Sequence, residues 1–132
     1  MTYAGDLTPT EAHSMLMDRA DAVMVDVRSQ AEWVFVGRPD IADRVRFVEW
    51  TQWPTGSRNP NFVADAAEGV DLDAPVILLC RSGVRSVAAA HELTAAGYTQ
   101  VFNVLEGFEG DIDGNGHRST GWRGADLPWT QR

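Results

Sequence analysis

Four short apolar runs, separated by stretches with helical spacing, organise this chain. Val23-Met24-Val25-Asp26-Val27 and Val76-Ile77-Leu78-Leu79 are almost continuously hydrophobic, which predicts strands buried on both faces. Val101-Phe102-Asn103-Val104 predicts a last core strand. Val45-Arg46-Phe47-Val48-Glu49-Trp50 interleaves charge with apolar residues, as a strand with one wetter face does near a sheet edge. Between these runs the period changes. Thr8-Pro9-Thr10-Glu11 carries the signature of a helix start, with Thr8 as N-cap, Pro9 in the first turn and Glu11 closing a capping box. Ala12, Met15 and Leu16 then fall on one stripe. Asn59-Pro60 opens a helix whose apolar face is Phe62, Val63, Ala66 and Ala67, with Gly69 as its stop. A further helix over 86–96 ends at Gly97. Strands alternating with helices over short connections predict one α/β domain over 1–132, with a mainly parallel sheet covered by helices on both faces. Residues 105–132 show no regular period beyond a turn of helix near Phe108.

Composition narrows the chemistry. A chain of 132 residues buries a core without staples, and its single cysteine permits no internal disulfide. No apolar run approaches a membrane span, and Met1-Thr2-Tyr3-Ala4-Gly5-Asp6 lacks the basic and apolar regions of a secretory signal, so the expected setting is cytoplasmic, without a membrane partner. The net charge of −8 disfavours nonspecific binding of nucleic acid. His13, His91 and His117 have no metal-ligand spacing with Cys80, and neither a metal nor a cofactor is expected. Asp111-Ile112-Asp113-Gly114-Asn115-Gly116 imitates the first half of a calcium-binding loop, but Trp122 stands at the twelfth position, where a bidentate glutamate belongs. A glycine-rich surface turn is the better reading of 111–116.

The candidate chemistry lies at Cys80-Arg81-Ser82-Gly83-Val84-Arg85-Ser86, between a buried strand and a helix start. A tight turn there aims backbone N–H groups inward as an anion cradle, and two guanidiniums are expected to join them. A thiolate placed at a helix N-terminus among cations is a stabilised nucleophile. Asp26, Arg28 and Glu32 put charge at the end of another strand. They are expected to form a structural ion pair within their own segment, the alternative being that they border the cysteine loop. Trp50, Trp53 and Pro54-Thr55-Gly56-Ser57-Arg58 are expected to pack on the sheet rather than line a pocket mouth, leaving Arg58 as an outer contact at most.

The loop from Cys80 to Ser86 resembles the active-site loop of the single-domain rhodanese (thiosulfate sulfurtransferase) family. Asp26-Val27-Arg28 with Glu32 resembles an early pattern of that family, and Glu106-Gly107-Phe108, Gly121-Trp122 and Leu127-Pro128 resemble its closing region. The likeness implies an α/β fold with a central sheet of about five strands. It also implies a Cys80 persulfide, donor binding by the amides of Arg81, Ser82, Gly83, Val84, Arg85 and Ser86, a small sulfur-containing anion as donor, and an external thiol, cyanide or protein as acceptor. Two features depart from the family pattern: the run after Arg44, and an insertion over 111–120. Two rival readings accompany it. A phosphatase or arsenate reductase of related design would need five residues between cysteine and arginine, whereas Cys80 and Arg85 enclose four. A noncatalytic or sulfide-sensing binding module would ordinarily have lost the cysteine.

Overall fold

The computed structural model describes residues 3–131; Met1, Thr2 and Arg132 lie outside the described residues. In chain order it forms β1 (Gly5–Leu7), α1 (Pro9–Asp18), β2 (Val23–Asp26), α2 (Gln30–Phe35) and β3 (Arg38–Pro39). Next come β4 (Val45–Phe47), α3 (Phe62–Ala67), β5 (Val76–Leu79) and α4 (Val84–Ala95). The chain closes with β6 (Val101–Val104), α5 (Gly121–Gly124) and β7 (Trp129–Thr130).

Five strands pair in the order β1-β6-β5-β2-β4, and every pairing is parallel. The most apolar runs, β5 and β2, therefore occupy the interior of the sheet, and the mixed run β4 lies at an edge. Alternation along each strand assigns side chains to two layers. Val76, Leu78 and Cys80 point with Val25 and Val27 into a core built with Phe62 and Ala66 of α3 and Ala89 and Leu93 of α4. Ile77 and Leu79 point with Met24 and Val104 into the opposite core, against Ala12 and Leu16 of α1 and the tail residues Phe108 and Trp122. The Thr8 capping box forms as its sequence predicts, and Glu11 returns a carboxylate oxygen to the Thr8 N–H at 2.8 Å. The helix after the cysteine loop starts at Val84, two residues earlier than its periodicity suggests, because Gly83 turns the chain ahead of it.

Three short elements carry too little pattern to be read from sequence. Gly5-Asp6-Leu7 is three residues long, yet it becomes the edge strand β1 by pairing with β6. Arg38–Pro39 and Trp129–Thr130 form a separate two-stranded antiparallel ribbon. The tail is anchored instead by Trp122, which is wholly buried and donates its indole N–H to the Pro128 carbonyl at 2.8 Å.

The calcium-like segment is an Asx turn: one carboxylate oxygen of Asp113 accepts the backbone N–H groups of Asn115 at 2.8 Å and His117 at 2.9 Å. With the twelfth position committed to the core, calcium titration is expected to leave the melting temperature unchanged, as differential scanning calorimetry would register. A calcium-dependent rise would reverse that reading.

Candidate active site

The cysteine loop is made by the junction of β5 and α4. Cys80 follows the last residue of β5, and three residues later the chain reverses through Gly83, whose φ of +108° is a conformation that side-chain-bearing residues rarely adopt. The reversal carries the Gly83 N–H to 3.0 Å from the Cys80 sulfur. It also leaves the first turn of α4, which follows the loop directly, without a side-chain cap. The Ser86 hydroxyl lies 3.2 Å from the same sulfur. Cys80 is 1% exposed and Ser86 is fully buried, so these two contacts belong to a dry site in which hydrogen bonds are stronger than in water.

The tail holds the loop from behind. Phe108 donates its N–H to the Cys80 carbonyl at 2.7 Å, and Glu109 and Gly110 donate to the Arg81 carbonyl at 3.0 and 3.2 Å. Gly107, at φ +58°, leaves no space for a Cβ, which would collide with the Cys80 carbonyl oxygen. Glu106-Gly107-Phe108 is thus a backbone clamp on the floor of the site.

The arginines differ from the inward-facing pair expected. Arg81 is exposed, with no ion pair among the described residues. Arg85 sends both terminal nitrogens to Glu32, at 2.7 and 2.8 Å, instead of to the sulfur. The reason is local. Glu32 is the third residue of α2 and closes a capping box with Ser29, which fixes its carboxylate opposite the loop, and a planar guanidinium matches that carboxylate with two parallel bonds. Burial pushes the Glu32 carboxyl up, but the hydrogen bonds and charge of Arg85, with the Ser29 contacts, prevail and hold it down at about 2. Arg85 is raised in turn, first by its bond to Glu32 and in smaller part by the charges of Cys80 and Asp26.

A pH dependence follows from the Glu32 shift. A carboxyl lowered on folding, here from the ordinary 4.5, adds stability above the unfolded value and loses it as pH falls through the window from about 4.5 to about 2. Glu32→Gln is expected to be less stable than the parent at neutral pH, by on the order of 2 kcal/mol after allowance for partial exposure. That difference should shrink as the pH is lowered through the window. Urea unfolding of both proteins at several pH values would measure it, and a constant gap would contradict the linkage.

Asp26 and Arg28 do form an ion pair within their own segment, at 2.7 Å and with both side chains fully buried. Arg28 also donates its Nε–H to the other oxygen of Asp26 at 2.9 Å and a terminal N–H to the Gly37 carbonyl at 2.9 Å, and its guanidinium stacks 4.2 Å above the Phe108 ring. It ties β2 to the turn after α2 and to the tail clamp. Glu32 leaves that segment to join the loop, so the three charges divide between a structural pair and a loop contact.

The tryptophans divide as well. Trp50 packs edge-on against Phe62 beneath Arg58, whose guanidinium lies 4.0 Å from its ring and 3.0 Å from the Glu92 carboxylate. Arg58 is therefore a clasp between this loop and α4. Trp53 is 62% exposed and, with Phe35, Val36 and Pro54, walls an open groove of about 490 Å³ that Glu32 and Arg85 also line. His91 packs edge-on against Tyr3 and His13 against Trp122, and the partners of the Cys80 sulfur among the described residues are Gly83 and Ser86, not a histidine. Among the described residues no cluster of His, Cys, Asp and Glu is suited to a metal ion.

Asn103 and Asp6, which join the site through Ser86, escaped the sequence reading. Ser86 donates its hydroxyl to the side-chain carbonyl of Asn103 at 2.5 Å, and the Asn103 amide donates to Asp6 at 3.2 Å. The available signal was an asparagine in the middle of an otherwise apolar core strand, since a buried amide requires partners.

Comparisons with known proteins identify the family and the fold. A family model described as a rhodanese-like domain matches residues 8–112. A thiosulfate sulfurtransferase, GlpE, of Pseudomonas fluorescens is 32% identical over 97 residues, covering 74% of this chain and 76% of that protein. An uncharacterized protein of Rickettsia prowazekii, RP600, is 32% identical over 124 residues, covering 94% of this chain and 95% of its own. The crystal structure of Rv0390 from M. tuberculosis is 50% identical and superposes with a TM-score of 0.90, covering 99% of this chain and 100% of that one.

Proposed function

Because the chain belongs to the rhodanese-like domain family, whose fold and sulfurtransferase relatives it shares, we propose that it moves sulfane sulfur from a donor such as thiosulfate to a thiophilic acceptor through a persulfide on Cys80. The observation that carries this reading is the setting of the Cys80 sulfur. It receives the Gly83 N–H at 3.0 Å and sits at the uncapped N-terminus of α4. Those groups stabilise negative charge on sulfur, whether it belongs to a thiolate or to the outer atom of a persulfide.

In the first half-reaction the Cys80 thiolate attacks the outer sulfur of thiosulfate. The new S–S bond forms as the old one breaks, and sulfite leaves with the bonding electron pair. In the second, an acceptor such as cyanide or a thiolate takes the outer sulfur and returns the thiolate. Cys80 is the only cysteine, so no internal thiol can resolve the persulfide and the acceptor comes from outside. A reducing cytoplasm, in which a lone thiol remains free, suits this cycle. No helix among the described residues is long and apolar enough to cross a membrane.

Intact-mass measurement tests the proposal. The purified protein should gain one sulfur atom on treatment with thiosulfate and lose it to cyanide or to a reducing thiol. A protein that never takes up sulfur but hydrolyses an aryl phosphate well would replace this reading with that of a phosphatase.

A further inference from the structure

A chain of hydrogen bonds runs from the Cys80 sulfur to the edge of the sheet. Sulfur meets the Ser86 hydroxyl at 3.2 Å, Ser86 meets Asn103 at 2.5 Å, and Asn103 meets Asp6 of β1 at 3.2 Å. The inner members are buried, Asn103 being only 3% exposed, while Asp6 is exposed.

Donor and acceptor chemistry gives this chain a direction. An ionised carboxylate only accepts, so the Asn103 side chain must turn its NH₂ toward Asp6 and its carbonyl oxygen toward Ser86. That oxygen also only accepts, and it therefore takes the single hydroxyl proton of Ser86. What Ser86 then presents to the sulfur is a lone pair, which suits a protonated thiol and opposes a thiolate. If Asp6 loses its charge, the constraint is lifted. Asn103 can turn its amide over in place, donate to Ser86, and free the hydroxyl proton to face the sulfur.

We infer that Asp6 and Asn103 are positioning residues that, acting through Ser86, aim the hydroxyl proton away from Cys80 and so raise the pH at which the thiol becomes reactive. The inference rests on Cys80 as the site nucleophile but requires no sulfur donor, so it can be tested whether or not sulfur transfer is observed. The other titratable and charged groups around this region are Tyr3, which donates its hydroxyl to Asp6 at 2.7 Å, His91, which packs edge-on against Tyr3, Arg85 with Glu32 and Asp26 with Arg28 at the loop, exposed Arg81, and Glu106 and Glu109 in the clamp. All of them are unchanged in the variants below.

The test reads the pH midpoint of Cys80 alkylation by iodoacetamide. Asp6→Asn, an exposed and nearly isosteric change, is expected to lower that midpoint by roughly half to one pH unit, the size of one neutral hydrogen bond gained by the thiolate. On the low-pH side this appears as a rise in alkylation rate of about three- to tenfold. Loss of the Asp6 charge would also act on the sulfur through space, and a double-mutant cycle separates the two effects. In a Ser86→Ala background the shift should fall to less than half, whereas in Ser86→Thr, which keeps a hydroxyl, it should persist. Ser86→Gly serves as the hydroxyl-free background if Ser86→Ala does not fold. No shift in the parent background, or more than half of it surviving without the hydroxyl, overturns the inference.

Discussion

Cys80→Ser is expected to reduce thiosulfate:cyanide transfer below detection, a loss of at least roughly 10⁴-fold, and to abolish sulfur loading. A serine hydroxyl is scarcely ionised near neutral pH, and it cannot carry the outer sulfur as a persulfide. The fold should survive. The new hydroxyl can accept the Gly83 N–H and pair with Ser86 as the sulfur does, so a stability change within about 2 kcal/mol is expected. The effect on function therefore separates cleanly from the effect on structure. Thiocyanate formation, sulfur uptake by intact mass and urea unfolding, measured on one preparation, check all three expectations. Transfer by the serine protein at anything near the parent rate would remove Cys80 from the mechanism.

The second large effect concerns stability. Asp26→Ala is expected to cost about 3–5 kcal/mol, because it strands the Arg28 guanidinium in a fully buried position without its counter-charge. For a chain of this size that is a fall in melting temperature of roughly 10–25 °C. Arg28 would still hold the Gly37 carbonyl and lie over Phe108, but neither neutralises it. The informative comparison is Asp26→Val with Arg28→Met. Removing both charges leaves no buried ion, so the double variant should be clearly more stable than Asp26→Ala. Parity between the two would mean that the loss comes from packing or from the Gly37 contact. Because Arg28 reaches Phe108, whose N–H holds the Cys80 carbonyl, Asp26→Ala should also lower transfer in the fraction that remains folded.

Hydrophobic pattern made the core legible, since burying apolar surface is nonspecific and depends mainly on period. The runs at 23–27 and 76–79 had to become interior strands: no other placement covers both of their faces. Turn chemistry made the loop legible for a similar reason. Glycine at 83 marks a reversal that other residues resist, and Cys80 between an apolar run and a helix start puts a thiol at the carboxyl edge of a sheet. Periodicity missed β1, β3 and β7 because elements of two or three residues contain too little of it, and their pairing partners lie far away in the chain.

The partners of the polar groups were decided by tertiary structure alone. Glu32 has a plausible cation in Arg28, four residues earlier, yet it binds Arg85, fifty-three positions away. The register that sets Asp26 beside Leu79 brings the two strand ends together, and the Ser29 cap fixes where the Glu32 carboxylate points. Asn103 likewise bonds to Ser86, seventeen positions away, and to Asp6, ninety-seven away. Hydrogen bonds and ion pairs act over about 3 Å and demand direction, so sequence supplies the donors and acceptors while the parallel sheet, by its strand order, selects which of them meet. Sequence by itself determined the four longer strands of the sheet, the place of Cys80 between a strand and a helix, and the chemistry that a thiol there can perform; the packed fold determined that the loop's Arg85 is held by a carboxylate and that the sulfur's hydroxyl neighbour answers to an asparagine on the adjacent strand.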